Sequence, residues 1–495
     1  MPSILDLVVA VPLLTGCAAL LCRRPRALRA VVGAGGGLGL GLAAWVLLGP
    51  AHQSAWGGLL RLDGLARVLL AVVAVVGALA SADSFAHWSD DLALRGPDVA
   101  ELGRGIRRVR VYFFWQQAFL ASLLLAAVSG NLGLSWLAIE LTTVTSAVLV
   151  GFSGSPRAVE AAWKYVVLCS VGLALALFTV ILFYALAGGG GLGGLDWGAL
   201  RAAAAAFSLG PAKLAFLFAL VGFGTKAGLA PLHAWLPDAH SEAPAPVSAL
   251  LSGVLLAVVL CTLVRIAGIT AVVTRSAFPY HLLLGAGLLS VAVATPFLVL
   301  QDDLKRLLAY SSIEQVGLMA VGFGLHTPLA TEGAVVQLVV HAFTKSGLFF
   351  TAGRILHEVG SQRLARLRAL SRRAPLLGLA WLFGVFTLGG LPPFGMFFSE
   401  LAILRAVMSV NAALGLALLG LLAVVFGGLF FYVGGGLFGP DRSERRLRPT
   451  VEAVVVLGLP AALSLVVGLW TPTAMAHGLV AAARVARLGW GPSAF

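Results

Sequence analysis

Charge is scarce in this sequence. Aspartate, glutamate, lysine and arginine make up 11% of its 495 residues, against 59% apolar. A soluble chain of that length carries far more charge, so a set of water-facing domains is excluded and most of the chain must face lipid or a lipid-like interior. Acidic residues are scarcer than basic ones, 21 against 34, for a net charge of +13. Gathered on one surface, such an excess would suit nucleic acid. Here the basic residues collect in short loops between apolar runs, which is a membrane-orientation pattern and removes nucleic acid from the partners. Cysteine is nearly absent. Cys17, Cys22, Cys169 and Cys261 lie in or beside apolar runs. Their spacing fits no metal or iron–sulfur pattern, and they read as small buried hydrophobes. Nucleotide, flavin and iron–sulfur motifs are also missing, so no cofactor, metal or redox chemistry is expected on this chain itself.

What is present is apolar length. A membrane span takes roughly 20 apolar residues. By that rule the chain is an all-α polytopic membrane protein of about 14 transmembrane helices, near residues 3–22, 28–49, 62–84, 111–129, 131–152, 163–188, 211–230, 247–270, 279–300, 306–325, 331–353, 376–397, 401–434 and 451–472. The first run is followed by Arg23, Arg24, Arg26 and Arg29, a stop-transfer cluster rather than a cleavage pattern. The 401–434 run exceeds one span, which tilt or a short amphipathic turn at its end would accommodate. Residues 83–110 read as a polar loop with room for a short surface helix, and the glycine-rich residues 188–194 as a flexible linker. The tail after Trp470 is mildly amphipathic and suits a membrane surface or a partner.

Arginine placement gives the orientation. Arg23–Arg29, Arg104, Arg107, Arg108, Arg110, Arg157, Lys305, Arg306, the cluster from Arg363 to Arg373 and that from Arg442 to Arg448 fall on one side; Arg61, Arg201 and Arg275 on the other. The positive-inside rule makes the rich side cytoplasmic and places both termini on the periplasmic side of a bacterial inner membrane.

Two of these spans are interrupted. Residues 223–247 read FGTKAGLAPLHAWLPDAHSEAPAPV, an apolar helix broken at Pro231, Pro237, Pro244 and Pro246; residues 387–396 read TLGGLPPFGM. Non-helical backbone at membrane depth is tolerated only inside protein or beside a water-filled cavity. The breaks fall in the seventh and twelfth spans, the sequence pointer to inverted repeats around a central site. Spans four to eight and nine to thirteen then form two five-helix repeats. The chain divides into residues 1–110 (three helices and a loop), 111–270 and 271–434 (the repeats), and 435–495 (the last span and tail).

Ionisable residues inside spans are costly and mark transport paths. Lys226 sits just before the first break, and Glu400 just after the second. Glu140 lies about ten residues into the fifth span, with Lys226 as its natural partner; such a pair either exchanges a proton or fixes two helices statically. His341 and Lys345 are four apart and share a helix face, the arrangement of a proton relay. Arg265 reads as an electrostatic tuner or a structural anchor, since arginine does not deprotonate. Asp302, Asp303, Lys305 and Arg306 read as a helix start, with Lys305 placed to feed the centre. His233, Asp238, His240 and Glu242 line the first break; nothing fixes them as a metal set. The eighth span offers no lysine or histidine, so a path from Lys226 to Lys345 needs water, or Ser252, Thr262 and Gln315. Glu314 precedes Gln315 in the tenth span.

The strings GFGTKAGLAPLHAWLPDAHSEAPAPVSALLSG, DDLKRLLAYSSIEQVGLMAVG, HAFTKSGLFFTAGRI and LPPFGMFFSELAIL resemble the proton-translocating antiporter-like subunits of respiratory complex I, Mrp-type cation/proton antiporters and group 4 membrane-bound hydrogenases. The match covers roughly residues 110–430. NLGLSWLAIELTT followed by EAAWKY is most similar to component F of hydrogenase-4 and formate hydrogenlyase-type complexes. The resemblance implies 14 helices, two inverted repeats and a mid-membrane chain of charges, with family roles on Glu140, Lys226, His341, Lys345 and Glu400. Asp238, His233, Arg265, Lys305, Gln315 and Ser252 would support them. Two positions depart from the pattern: Ala257 stands where the eighth helix commonly has lysine or histidine, and Gln315 where some members have histidine. The resemblance further implies a proton-translocating subunit, with Na⁺ as the alternative ion, in a redox-driven complex such as a group 4 hydrogenase or an NADH:quinone oxidoreductase. Other membrane subunits and a peripheral arm would be its partners, and that arm would hold the iron–sulfur clusters, NiFe centre or flavin. The alternatives are a stand-alone or Mrp-type antiporter subunit, a non-conducting scaffold, and the membrane subunit of an inorganic-carbon uptake complex.

Overall fold

The computed structural model describes residues 3–50, 53–88, 99–367, 369–438 and 451–488. Helices dominate because backbone N–H and C=O groups in lipid must be satisfied within their own segment. In chain order they are α1 (Ile4–Leu21), α2 (Pro25–Leu48), α3 (Gly64–His87), α4 (Val99–Val128), α5 (Leu132–Val150) and α6 (Pro156–Leu186). Then follow α7 (Leu209–Ala227), α8 (Trp235–Glu242), α9 (Ala245–Thr274), α10 (Phe278–Val299), α11 (Leu304–Leu325) and α12 (Pro328–Val359). The last are α13 (Pro375–Leu388), α14 (Gly395–Val410), α15 (Ala412–Phe438), α16 (Val451–Leu469) and α17 (Thr473–Leu488). Eleven described helices are long and apolar enough to cross a membrane, and α13 and the stretch Ala453–Leu469 of α16 are shorter apolar helices. One small departure from an all-helical chain is a two-stranded antiparallel hairpin, β1 (Gln53–Ala55) and β2 (Leu60–Leu62).

Caps explain many of the starts. Ser3 and Asp6 form a capping box on α1, Asp63 caps α3, Asn131 caps α5, Ser155 caps α6 and Asp303 caps α11. The acidic start read at Asp303 is therefore present: its carboxylate accepts from the Arg306 N–H at 2.9 Å.

The centre is formed by α9 and α12. Every residue in the most apolar stretch of α9 is buried, and nearly all in that of α12, whereas α2 and α15 turn most of their surface outward. Around this centre α6 runs along α7, α10 along α11 and α14 along α12. The α10–α11 contact is close enough that Gly287 faces the backbone of Gly317. Helix α3 is fixed at both ends. Asp63 takes a bidentate ion pair from Arg265 of α9 (2.7 and 2.9 Å), and Asp83 Oδ1 alone takes both contacts from Arg354 of α12 (2.8 and 3.0 Å). Arg265 thus joins α9 to α3.

Several expectations are corrected. The 401–434 run is not one helix. Asn411 is extended and its side chain accepts from Leu414 N–H at 3.0 Å, so α14 ends and α15 restarts with its own cap. The loop expected over 83–110 is shorter, since α3 continues to His87 and α4 begins at Val99; residues 89–98, and the arginines from Arg442 to Arg448, lie outside the described residues. Cys17 is exposed on the outer face, unlike the three other cysteines. The described part of the tail packs on its own chain. Helix α17 packs on α3 and α12, burying Leu479, Ala482 and Val485, because Gly64 lets the backbone of Ala481 approach.

Candidate functional site

Both interrupted helices are present. α7 ends where Gly228 takes a left-handed conformation (φ 77°), which a side chain would strain. The chain then turns through Pro231 into α8. The indole N–H of Trp235 donates to Thr225 O at 2.8 Å, which satisfies a carbonyl the ending helix frees. The second break lies between α13 and α14, at residues 389–394.

Lys226, in the last turn of α7, is fully buried. Its ammonium donates to Tyr165 Oη on α6 and to Thr143 Oγ1 on α5 (2.9 Å), and rests over the Tyr165 ring at 4.5 Å. Tyr165 Oη in turn meets Ser146 Oγ at 2.7 Å. The expected ion pair with Glu140 is not formed among the described residues. Glu140 is half-buried, its Oε2 has no hydrogen-bond partner, and it reaches Lys226 only through space. The reason is helical register: Thr143, three residues on from Glu140, occupies the position next to the ammonium.

The second cluster joins α9, α11, α12 and α14. A π-helical turn at Leu251–Leu255 opens α9, and His341 Nε2 lies 3.1 Å from Ser252 O within it. Ser252 Oγ meets Ser312 Oγ at 2.7 Å. Lys345, one turn from His341 and fully buried, donates to Ser311 Oγ and to Leu308 O (3.0 Å). Glu400 Oε1 accepts from Gln315 Nε2 at 3.1 Å; Gln337 donates to Gln315 Oε1, and Ser399 donates to Gln337 Oε1. Gly390 in the second break has φ 66°, and a Cβ there would lie 2.2 Å from Glu400 Oε2, so the carboxylate folds back onto the break. Ser252 and Gln315 thus join the second cluster, whereas Thr262 bonds back to Val258 O of its own helix. Ala257 is buried and adds no polar atom between the two clusters.

The remaining sequence candidates separate. Lys305 is buried and donates to Ser241 O (3.1 Å) and Ala243 O (2.6 Å), closing the end of α8. Asp238 faces the surface, paired with Arg306 (2.7 Å) and Lys164 (3.2 Å), in a cavity of about 210 Å³ that Arg157, Glu160 and Glu242 also line. His240 is buried against Phe349, with ring centroids 5.0 Å apart, and His233 is half-buried with Nδ1 unpartnered. These four residues of the break do not converge on one point. Sequence reasoning passed over Tyr165 and Thr143, which hold the buried lysine, and Gln337. Polar side chains at membrane depth were the available signal.

Chemically, both lysines are held by neutral oxygens. Loss of a proton from either leaves a neutral amine still hydrogen-bonded to those oxygens, so each can cycle between charged and uncharged forms. These features define a multi-span helical membrane protein of the ion-transporting class. The NADH:quinone oxidoreductase/Mrp antiporter transmembrane family matches residues 129–427. The chain belongs to that family. It is 38% identical over 339 residues to a hydrogenase-4 component F homolog of Methylacidiphilum infernorum, covering 68% of this chain and 71% of that one. It is 30% identical to NADH-quinone oxidoreductase subunit N of Desulforudis audaxviator, covering 82% and 79%. The fold matches a chain of an archaeal membrane-bound sulfane sulfur reductase complex with a TM-score of 0.86 at 24% identity, over 98% and 97% of the two chains.

Proposed function

We propose that this chain translocates protons as one membrane subunit of a multisubunit, redox-driven complex of the hydrogenase or NADH:quinone oxidoreductase type, in a bacterial inner membrane with both termini periplasmic. Na⁺ is the alternative ion. The observation that carries the reading is the pair of fully buried lysines: Lys226 is held by the hydroxyls of Tyr165 and Thr143, and Lys345 by Ser311 Oγ and Leu308 O. Lipid-depth ammonium groups are kept where they move charge. The relatives' names supply the context, since both are subunits of redox complexes. Iron–sulfur clusters, NiFe or flavin would sit on partner subunits of a peripheral arm.

In this reading a change of charge in a neighbouring subunit acts first on half-buried Glu140. Through space that alters the hold of Tyr165 and Thr143 on the Lys226 proton. The proton passes toward His341 and Lys345 and leaves by Glu400. The two repeats, residues 111–270 and 271–434, each contribute one broken helix and one of the lysines Lys226 and Lys345. The test is Lys226→Ala in membrane vesicles: proton uptake during turnover should vanish while the complex still assembles. Uptake at the wild-type rate would refute the reading. A non-conducting scaffold is the second reading, favoured by Ala257 in α9, and it predicts that same wild-type rate.

A further inference from the structure

Glu314 of α11 belongs to no part of the mechanism above. It is fully buried, and neither of its carboxylate oxygens has a hydrogen-bond partner among the described residues. Leaving both oxygens of a carboxylate unpaired inside protein is costly enough that such groups are rare outside working sites. Its place on the helix is the telling feature. Ser311, Glu314 and Gln315 stand at spacings of three and four and share one face. Ser311 accepts from Lys345, and Gln315 donates to Glu400. Glu314 therefore stands between the contact that holds the lysine and the contact that holds the last carboxylate. It interacts through space with Lys345 of α12 and with Glu400 of α14. His341, one turn before Lys345, is the other titratable group on the facing side of α12.

We propose that Glu314 is the proton station between Lys345 and Glu400. This rests on the proposed function and deepens it. In the first step an N–H bond of the Lys345 ammonium breaks and an O–H bond forms on Glu314, turning a charged pair into two neutral groups. In the second the Glu314 O–H breaks and one forms on the Glu400 carboxylate, so the negative charge moves from Glu400 to Glu314. The Gln315 amide holds Glu400 in place for it. Release of the Glu400 proton to the exit side and reprotonation of Lys345 from the His341 side then reset the chain.

The experiment compares Glu314→Gln, Glu314→Asp, Lys345→Ala and Lys226→Ala, each in the full chain within its native complex. Proton uptake into membrane vesicles is followed with an acridine dye during turnover, with electron transfer measured in the same vesicles. Glu314→Gln should lower uptake at least tenfold with the complex still assembled, and Glu314→Asp should restore most of it. An infrared difference spectrum should lose a protonated-carboxyl band in Glu314→Gln. Wild-type uptake in Glu314→Gln, with both lysine variants inactive, would overturn the inference and leave the proposed function standing. Wild-type uptake in Lys226→Ala would overturn both. If Glu314→Gln does not accumulate, the infrared band decides: it should shift in Glu314→Asp, and an unshifted band would overturn the inference.

Discussion

Replacing Asp63 by asparagine should remove about 3–5 kcal/mol of stability, the cost of leaving one buried charge without its partner. Asp63 and Arg265 have side chains 3% and 12% exposed, so water screens the pair little, and two contacts of 2.7 and 2.9 Å make it bidentate. Asparagine keeps an oxygen for the Ala66 N–H that Asp63 now caps at 2.8 Å, so the substitution isolates the charge from the cap. Asp63→Ala loses both and should cost about 1 kcal/mol more. Arg265→Met should resemble Asp63→Asn. The double variant Asp63→Asn with Arg265→Met should recover most of the loss, because an apolar replacement of a whole buried pair is often close to neutral. Equilibrium unfolding in mixed detergent micelles, read as a double-mutant cycle, gives the coupling directly. Single variants within about 1 kcal/mol of wild type, or losses that simply add, would refute the claim that this pair ties α3 to α9.

The Lys226 site predicts a second result. Tyr165→Phe removes one hydroxyl from the ammonium; a hydrogen bond to a charged group is worth about 1.5–3 kcal/mol, so proton uptake should fall roughly tenfold or more with assembly intact. An unchanged rate would show that Thr143 alone suffices. At the second break, Gly390→Ala would bring a Cβ within 2.2 Å of Glu400 Oε2 in a backbone conformation that side chains rarely adopt. It should cut uptake about as far as Glu400→Gln does, and normal uptake would show that Glu400 need not rest on the break.

How far the site was legible depended on what kind of signal each residue gave. Lys226, His341, Lys345 and Glu400 stand out because a charge inside an apolar run is visible in one dimension. The breaks stand out because proline and glycine are. Asn411 was missed because a lone polar residue in a long apolar run looks like tilt until its cap on Leu414 is seen. Glu314 was read but given no role, since its meaning comes from two neighbours on other helices. The Glu140–Lys226 pair was inferred from opposite charge alone; three residues of helical register give the contact to Thr143 instead.

By itself, then, the sequence determined that this is a helical membrane protein, where two of its helices come apart and which ionisable groups are forced into the span. These follow from hydropathy and the backbone rules of glycine and proline, all of them local. The tertiary structure alone decided which oxygens hold Lys226 and Lys345, that Arg265 fastens α3, and that the tail folds onto its own chain. Those depend on residues dozens to hundreds of positions apart meeting within about 3 Å, the reach of a hydrogen bond, and no periodicity along the chain encodes that meeting.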